Sequence, residues 1–183
     1  MIRLLLWVIG AILLGGIVHL STVLTMPQAA TQDAFSRLMP LTPVNAVVPL
    51  AAPTAEASIM PFMDPAFAAA VCRYDLSGGS LKLNAPVSQA YTSVTFYTRN
   101  SVAYYAINDR AAGRRTIELD VMTPEQHAQL PEEEDVTAAD RLIIESPTTT
   151  GLIVLRALAP EPGLMPMARR SLAGAQCHIE PVQ

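Results

Sequence analysis

Basic residues are scarce in this chain, and histidine and cysteine are scarcer still. The 183 residues include 12 lysines and arginines against 16 aspartates and glutamates, which gives a formal net charge of −4. No basic cluster exceeds a pair such as Arg114-Arg115 or Arg169-Arg170. A surface that binds nucleic acid needs a positive stripe to displace the counterions of the phosphates. The composition therefore excludes nucleic acid as a partner.

Metal-binding and catalytic signatures are missing as well. A zinc site takes about four ligands at spacings such as C-x₂-C, but the chain has three histidines and two cysteines, with one adjacent pair at Cys177-His178. We therefore expect no metal site and no cofactor. The acidic run 132–135 lacks the alternation and the glycine of a calcium loop, and residues 77–80 lack the lysine of a phosphate loop. G-x-S-x-G is absent, and no residue near His127 in the sequence would orient it for hydrolysis.

What the chain does contain is one long apolar run, at residues 2–24. The run includes one charge, Arg3, and one imidazole, His19. As a helix that rises about 1.5 Å per residue, it would extend over about 34 Å, enough to cross a hydrocarbon core of about 30 Å. The run is longer than the apolar stretch of a typical signal peptide, and no clean small-x-small cleavage site follows it. We therefore predict a retained transmembrane anchor over residues 1–25, rather than a cleaved signal peptide.

The charges that flank the anchor predict its orientation. Arg3 and the amino terminus precede the run, and the first charge after it is Asp33. Because positive charge favours the cytoplasmic side, the amino terminus is expected in the cytoplasm and the rest of the chain outside. His19, near the outer end of the run, would then lie at headgroup level; the alternative is a proton- or quinone-side group within the membrane.

Residues 26–63 are predicted to hold a membrane-proximal helix and a proline-rich stalk. Residues 31–39 favour a short helix that carries Phe35, Leu38 and Met39 on one side, and Pro40 ends it. Beyond it, prolines recur up to position 61 and favour an extended stalk. Residues 45–50 also fit an edge strand, and this alternative stays open.

Residues 64–183 are predicted to form a β-rich extracytoplasmic domain. Asp64-Pro65 is typical of a helix start and predicts a helix over residues 66–71. Residues 91–98 and 102–108 are rich in β-branched and aromatic residues and are joined by a short loop, and residues 115–122 alternate between apolar and polar. Together these three stretches predict an antiparallel meander.

The rest of the domain predicts two more strands and two helices. The strands are expected at residues 141–145 and 152–158. Thr123 and Gln126 form a capping box that opens a helix to Leu130. Residues 163–176 predict an amphipathic helix whose inward residues are Leu164, Met167, Ala168 and Leu172. The fold class is therefore α+β, an N-terminal transmembrane helix followed by one antiparallel sheet of five or six strands with a few packed helices.

Two small groups of residues are candidates for structural or functional roles. Cys72 and Cys177 are the only cysteines; they would form a disulfide in an oxidising compartment, or remain buried thiols in the cytoplasm. Tyr97, Tyr104 and Tyr105 lie in the predicted hairpin, and Arg110 lies in the turn that follows it. These four are candidate contacts for a ligand or a partner. The alternative for the tyrosines is that they stabilise the sheet as cross-strand pairs.

Three strings in the chain resemble a known family. They are DPAFAAAVCRYDLSGGSLKL, YTSVTFYTRNSVAYYAINDRAAGRR and ADRLIIESPTTTGLIVLRAL. The chain resembles the short proteobacterial predicted integral membrane proteins that are related to the domain of unknown function numbered twelve-fifty-four, and the resemblance covers nearly the whole length. It implies a β-rich, uncharacterised domain, here on the periplasmic side of a bacterial inner membrane. It provides no catalytic residues.

The resemblance also implies a partner. Longer relatives join this domain to a second one, numbered twelve-fourteen, and short single-span members are typically encoded beside a short protein that carries the second domain. The leading hypothesis is therefore a non-enzymatic membrane-anchored module that binds a partner or a ligand and works with such a companion membrane protein. Alternatives are an enzyme or enzyme subunit whose site the companion completes, and a lipid- or quinone-associated accessory subunit, which His19 and Trp7 suggest.

Overall fold

A long N-terminal helix precedes the folded domain. A computed structural model describes residues 1–29, 33–54, 56–112, 115–130 and 142–180. Helix α1 spans Ile2–Ala29, and its part Ile2–Met26 is long and apolar enough to cross a membrane, as is also true of a signal sequence at this position. The hydroxyls of Thr22 and Thr25 each donate to a carbonyl oxygen four residues earlier, at 2.8 Å. Neither hydroxyl therefore presents an unpaired donor to lipid.

In the described part of the chain, nine strands form two sheets. The strands are β1 Val47–Pro49, β2 Phe67–Asp75, β3 Ser80–Pro86, β4 Thr92–Thr98, β5 Ala103–Asn108, β6 Thr116–Met122, β7 Leu142–Glu145, β8 Thr150–Leu158 and β9 Gln176–Glu180. Sheet A has the order β1-β2-β8-β4-β5 and is antiparallel throughout. Sheet B has the order β7-β6-β3-β9, and its β6–β7 pair is parallel. The predicted α+β class is confirmed, but the strands form two sheets rather than one.

Four short helices accompany the sheets in the described residues. They are α2 Ala34–Leu38, α3 Asp109–Ala112, α4 Pro124–His127 and α5 Met165–Ala173. The predicted capping box at α4 is confirmed: the Gln126 backbone N–H donates to the Thr123 hydroxyl at 3.2 Å, and the Thr123 N–H donates to the Gln126 side chain at 2.9 Å. The acidic run 132–135 lies outside the described residues.

The hydrophobic core lies between the two sheets. Alternate residues of the strands point inward, as the period of two requires. The buried set includes Ala70, Cys72, Tyr74, Val94, Phe96, Ile153 and Leu155 from sheet A, and Leu81, Leu83, Ile117, Leu119 and Val121 from sheet B. Cys72 on β2 and Cys177 on β9 form a disulfide that ties the sheets together. The predicted cysteine pairing is confirmed.

Helix α5 packs against both sheets through one narrow stripe. Ala168 and Leu172 are buried, as predicted, because residues four apart share a helix face. Leu164 and Met167 were expected inward as well, but they are 39% and 42% exposed. Leu164 precedes the helix, and Met167 lies on the neighbouring face.

The predicted helix over residues 66–71 is wrong. Residues 67–71 belong to β2, which pairs with β8 along its whole length and with β1 at Val47–Pro49. Alanine has the highest intrinsic helix propensity, but propensity is a weak preference, and strand pairing on both edges overrides it. The Asp64 carboxylate accepts the Ala66 N–H at 2.9 Å, so it closes a turn rather than capping a helix.

Strand pairing decides two further points. The meander breaks after β5: α3 intervenes, and β6 pairs with β3 in the other sheet. Alternation along a strand determines which face is buried, but it does not determine the partner. Part of the proposed stalk, Val47–Pro49, forms the edge strand β1, the alternative that the sequence left open for residues 45–50. On β9, His178 lies opposite Lys82.

Candidate functional site

The outer face of sheet A points away from the core, but it is more apolar than such a face usually is. The outward residues of its central strands include Phe67, Ala69 and Val71 on β2, Leu152 and Val154 on β8, and Tyr97 on β4. Helix α2 packs on one end of this face, where Phe35 and Leu38 form a second buried cluster with Val71 and Leu152. Because α2 has five residues, it covers only part of the sheet.

A charged residue of the β4–β5 loop holds α2 in place. Arg99 lies over the Phe35 ring at 4.1 Å, and its Nη1 contacts the Asp33 carboxylate at 3.3 Å. Asp33 is the N-cap of α2 and accepts the Ser36 N–H at 2.8 Å. Burial acts to raise the pKa of Asp33, but the hydrogen bonds from Ser36 and the Arg99 charge outweigh it and lower the pKa. The ionised carboxylate therefore stabilises the position of α2 on the sheet.

An open groove of about 340 Å³ occupies the rest of this outer face. The floor is formed by β2, β8 and β4, and the walls are formed by α2 and by residues 60–64. The lining residues are Ala34, Leu38, Leu50, Met60, Pro61, Phe62, Met63, Asp64, Phe67, Ala69, Tyr97, Ser101, Leu152, Val154 and Arg156. The volume falls within the range of about 300–1,000 Å³ that is typical of small-molecule sites.

The rim of the groove carries two notable side chains. Phe62 is fully exposed and has a φ of 58°, a backbone conformation that is rare for a residue with a bulky side chain. Arg156 is exposed and forms no ion pair with any residue in the described part of the chain. The groove thus combines a largely apolar lining with one cation, Arg156, that no carboxylate of the described residues neutralises.

The structure separates the four candidate contact residues. Tyr97 lines the groove. Tyr104 and Tyr105 pack against Phe96, with ring centroids 6.1 and 5.9 Å away. Arg110 is exposed on α3 and is absent from the groove lining. A contact of any of the four with a ligand or a partner stays a prediction.

A β-bulge explains why two adjacent tyrosines reach the same phenylalanine. Phe96 pairs with Tyr105 and Tyr97 pairs with Ala103, so Tyr104 is the extra residue of β5. The Tyr104 hydroxyl reaches the Tyr74 hydroxyl at 3.2 Å. Burial raises the pKa of Tyr104 above its ordinary value. The group is therefore a neutral phenol that joins a hydroxyl network, and it is not a base.

The same network extends into the core and requires a glycine. The Tyr74 hydroxyl lies 2.9 Å from Ser146 Oγ, which donates to the Thr148 carbonyl at 2.7 Å. A Cβ on Gly151 would lie 2.2 Å from the Tyr97 carbonyl oxygen and 2.3 Å from the Tyr74 hydroxyl. The close approach of Tyr74 therefore excludes any side chain at position 151.

Two further titratable residues, His127 and Asp109, lie away from the groove. His127 Nδ1 contacts Glu145 Oε1 at 2.6 Å, a partner that sequence reasoning missed because Glu145 is on β7. The Asp109 carboxylate accepts the Thr92 N–H at 3.2 Å. Neither His127 nor Asp109 lines the groove. Among the described residues, no three metal-ligating side chains converge.

Sequence reasoning missed the groove itself. Residues 60–63 were assigned to the stalk, although two methionines and a phenylalanine flank Pro61 there. This apolar cluster between prolines was the available signal. It predicts a segment that packs on a sheet rather than an isolated stalk.

Comparison with solved structures finds a similar fold within a longer protein. The chain is similar to the VPA0106 protein of Vibrio parahaemolyticus, with 11% identity and a TM-score of 0.59 over 81% of this chain and 36% of that one. It also matches a putative uncharacterized protein from Burkholderia cenocepacia, with 15% identity and a TM-score of 0.45 over 63% of this chain and 32% of that one. The chain thus spans about a third of the length of these proteins. No curated protein matches it.

A family assignment comes from the sequence of the folded region. Residues 44–178 match DUF1254, described as a protein of unknown function. The matched stretch is well over half of the 183 residues, and it confirms the resemblance that the three sequence strings indicated. The chain belongs to the DUF1254 family.

Proposed function

We propose that this chain is a membrane-anchored envelope module that binds through the groove on sheet A and works with a companion membrane protein. The observation that carries the proposal is the groove, an open and largely apolar surface next to the helix that follows the anchor. In a single domain, an apolar face of this kind that remains uncovered is typical of a binding surface.

The chain length between the anchor and α2 supports a position near the membrane. Helix α1 ends at Ala29, and Asp33 caps α2. Four residues span at most about 14 Å when fully extended. Because Ala34 and Leu38 form part of the groove wall, the groove is tethered within a short distance of the end of the anchor.

The disulfide supports an extracytoplasmic location. Cys72 and Cys177 are paired, and disulfides persist in oxidising compartments such as the periplasm. Together with the charge flanking α1, this favours a cytoplasmic amino terminus and a periplasmic domain in a bacterial inner membrane.

A periplasmic domain is tested by labelling cysteines in intact cells. A topology reporter fused after Gln183 should be active only outside the cytoplasm, and a thiol reagent should label Cys72 and Cys177 only after reduction. An inactive reporter together with free, cytosolic thiols would contradict the location. A mature protein that begins near residue 31 and is soluble would contradict the anchor.

The similarity to a longer solved protein supports a companion. This chain covers 36% of the Vibrio protein that shares its fold, so the domain occurs elsewhere together with additional structure. We propose that a separate single-span chain carrying the related second domain supplies that structure here.

Co-purification in mild detergent tests the companion and the groove together. A tagged full-length chain should retain the neighbour-encoded companion. Ala69→Phe, which fills the groove floor, tests whether the groove is part of that contact, and Ala106→Phe on the exposed edge strand β5 is the matched control. Loss of the companion from both variants would indicate misfolding, which the disulfide content reports. If the unsubstituted chain never retains the companion, the companion part of the proposal is wrong.

A further inference from the structure

We infer that the groove holds one acyl chain of an anionic amphiphile from the adjacent membrane leaflet, with its carboxylate or phosphate on Arg156. This inference rests on the proposed function, because it takes the groove as the binding surface. It adds the chemical class of the ligand and assigns the residue that selects the head group.

The arginines of sheet A provide the first argument. Arg73 donates to the Thr42 carbonyl oxygen at 3.0 and 3.2 Å, and Arg99 pairs with Asp33 and stacks on Phe35. Both are therefore occupied in attaching residues 33–42 to the sheet. Arg156 lines the groove and has no such partner among the described residues. An anion is the complementary group for a guanidinium at the edge of an apolar surface.

The surroundings of Arg156 leave its guanidinium free to bind a ligand. Its neighbours across the sheet are Ala69 on β2 and Ser93 on β4, and both side chains are small. The one carboxylate in the lining, Asp64, accepts the Ala66 N–H at 2.9 Å and forms no ion pair with Arg156. Asp64 therefore leaves the Arg156 charge available, and it would repel an anion placed close to it.

The lining favours an acyl chain over a peptide. A peptide brings an N–H and a carbonyl at every residue, and each must be paired when it is buried. The floor of the groove is a sheet face, which presents side chains rather than free backbone edges, and its polar groups are few. Met60 and Met63 on the wall are flexible and adapt to irregular apolar shapes. A hydrocarbon chain fits this surface without unpaired polar groups.

The source of the ligand follows from the tether. The wall of the groove begins at Ala34, only five residues after Ala29, the last residue of α1. Free fatty acids and phospholipids are both concentrated in the leaflet from which such a short connection emerges. Both present an acyl chain attached to an anionic group, so the experiment distinguishes between them.

A single-tryptophan quenching experiment tests the inference on the full chain. Trp7 is the only tryptophan, so Trp7→Phe combined with Phe62→Trp places one indole on the groove rim. The protein is reconstituted in nanodiscs of phosphatidylcholine. Four probes carry the same nitroxide near the end of an acyl chain: stearic acid, its methyl ester, phosphatidylglycerol and phosphatidylcholine.

The expected result is saturable quenching by an anionic probe. The acid, the phosphatidylglycerol or both should quench at concentrations about tenfold lower than the methyl ester and the phosphatidylcholine, as expected for one charge-assisted contact. Which of the two anionic probes quenches identifies the source. Arg156→Gln should remove the preference, while Arg110→Gln, which removes an exposed arginine outside the groove, should keep it. Asp64→Asn should strengthen anionic binding a few-fold.

Two outcomes overturn the inference. Equal quenching within both pairs, the acid with its ester and the phosphatidylglycerol with the phosphatidylcholine, would show that Arg156 selects no anion. Quenching that is unchanged by Ala69→Phe would show contact of the rim with the bilayer rather than occupation of the groove. In either case, loss of the companion from the Ala69→Phe variant alone would still support the groove as a protein-binding surface. If that variant retains the companion and the quenching does not depend on the groove, then the groove binds neither the companion nor the amphiphile.

Discussion

The two sheets share one core but have very different outer faces. On sheet B, Lys82 contacts the Asp120 carboxylate and lies 3.7 Å from Glu180 Oε2. The outer face of sheet A is instead apolar, and it is covered in part by α2 and otherwise open as the groove. A face with paired cross-strand charges is compatible with water alone, whereas an apolar face requires a cover. The comparison explains why the proposed binding surface lies on sheet A rather than on sheet B.

Removing the disulfide should have the largest effect, because it joins the two sheets. Cys72 and Cys177 are 105 residues apart, and the chain-entropy model gives about 4 to 5 kcal/mol for a loop of this length. We expect Cys72→Ala with Cys177→Ala to lower the free energy of unfolding by about that amount. Urea unfolding of the full chain in mild detergent, followed by circular dichroism, measures the loss. If hydrogen exchange of this variant showed that one sheet keeps its amide protection while the other loses it, the two sheets would be separately stable units.

Substitution of Gly151 should have the next largest effect, and it begins in sheet A. The added methyl group would meet the Tyr97 carbonyl oxygen and the Tyr74 hydroxyl, so we expect Gly151→Ala to cost about 3 kcal/mol through overpacking. Gly163→Ala is the matched control, because nothing lies within 4 Å of the added carbon. The same unfolding experiment applies to both variants. Equal stability of the two would show that the Tyr74 network relaxes without cost.

A third substitution tests the charged face of sheet B. Lys82→Met leaves the buried Asp120 carboxylate without its cation, so we expect a loss of about 1 to 2 kcal/mol. The loss should decrease in high salt, because a partly exposed pair is screened. Arg169→Met on the exposed side of α5 should change stability by less than about 0.5 kcal/mol. A cost for Lys82→Met that is insensitive to salt would indicate a packing role for the lysine stem.

The smallest effect should be a dependence on pH of how firmly α2 packs on sheet A. The folded pKa of Asp33 lies below its usual value of 3.8, so its contribution is fully present above pH 3.8 and is lost as the pH falls through the folded pKa. Hydrogen exchange in α2 should therefore accelerate, relative to β2, only below about pH 4. Asp33→Asn keeps an N-cap but should remove this pH dependence. Protection of α2 that stays unchanged, relative to β2, down to the pH at which the whole domain unfolds would show that the ionised Asp33 carboxylate does not hold the helix.

Local patterns in the sequence predicted much of the structure. The apolar run gave α1, the alternation gave the buried residues Ile117, Leu119 and Val121, and the capping box gave the start of α4. Each of these depends on interactions within about four residues or on one strand's own periodicity. The disulfide was also predictable, since the chain offers no other pairing of cysteines.

The features that sequence reasoning missed depend on contacts between residues that are far apart in the chain. Residues 67–71 form a strand only because they belong to β2, which β1 and β8 flank. The groove combines residues near positions 34, 60, 97 and 154, and no local pattern relates these segments. The strand partners of β6, and hence the second sheet, were unpredictable for the same reason.

The positions of the two cysteines also affect how the protein matures. Cys72 lies on β2, and Cys177 lies on β9, the last strand of the described chain. In the export of the periplasmic domain that we propose above, the first thiol would emerge more than a hundred residues before its partner. Until Cys177 has followed, Cys72 would have no correct partner to oxidise with. Closure of the bond would therefore be a late step in biogenesis, after residues 72–177 have reached the oxidising side.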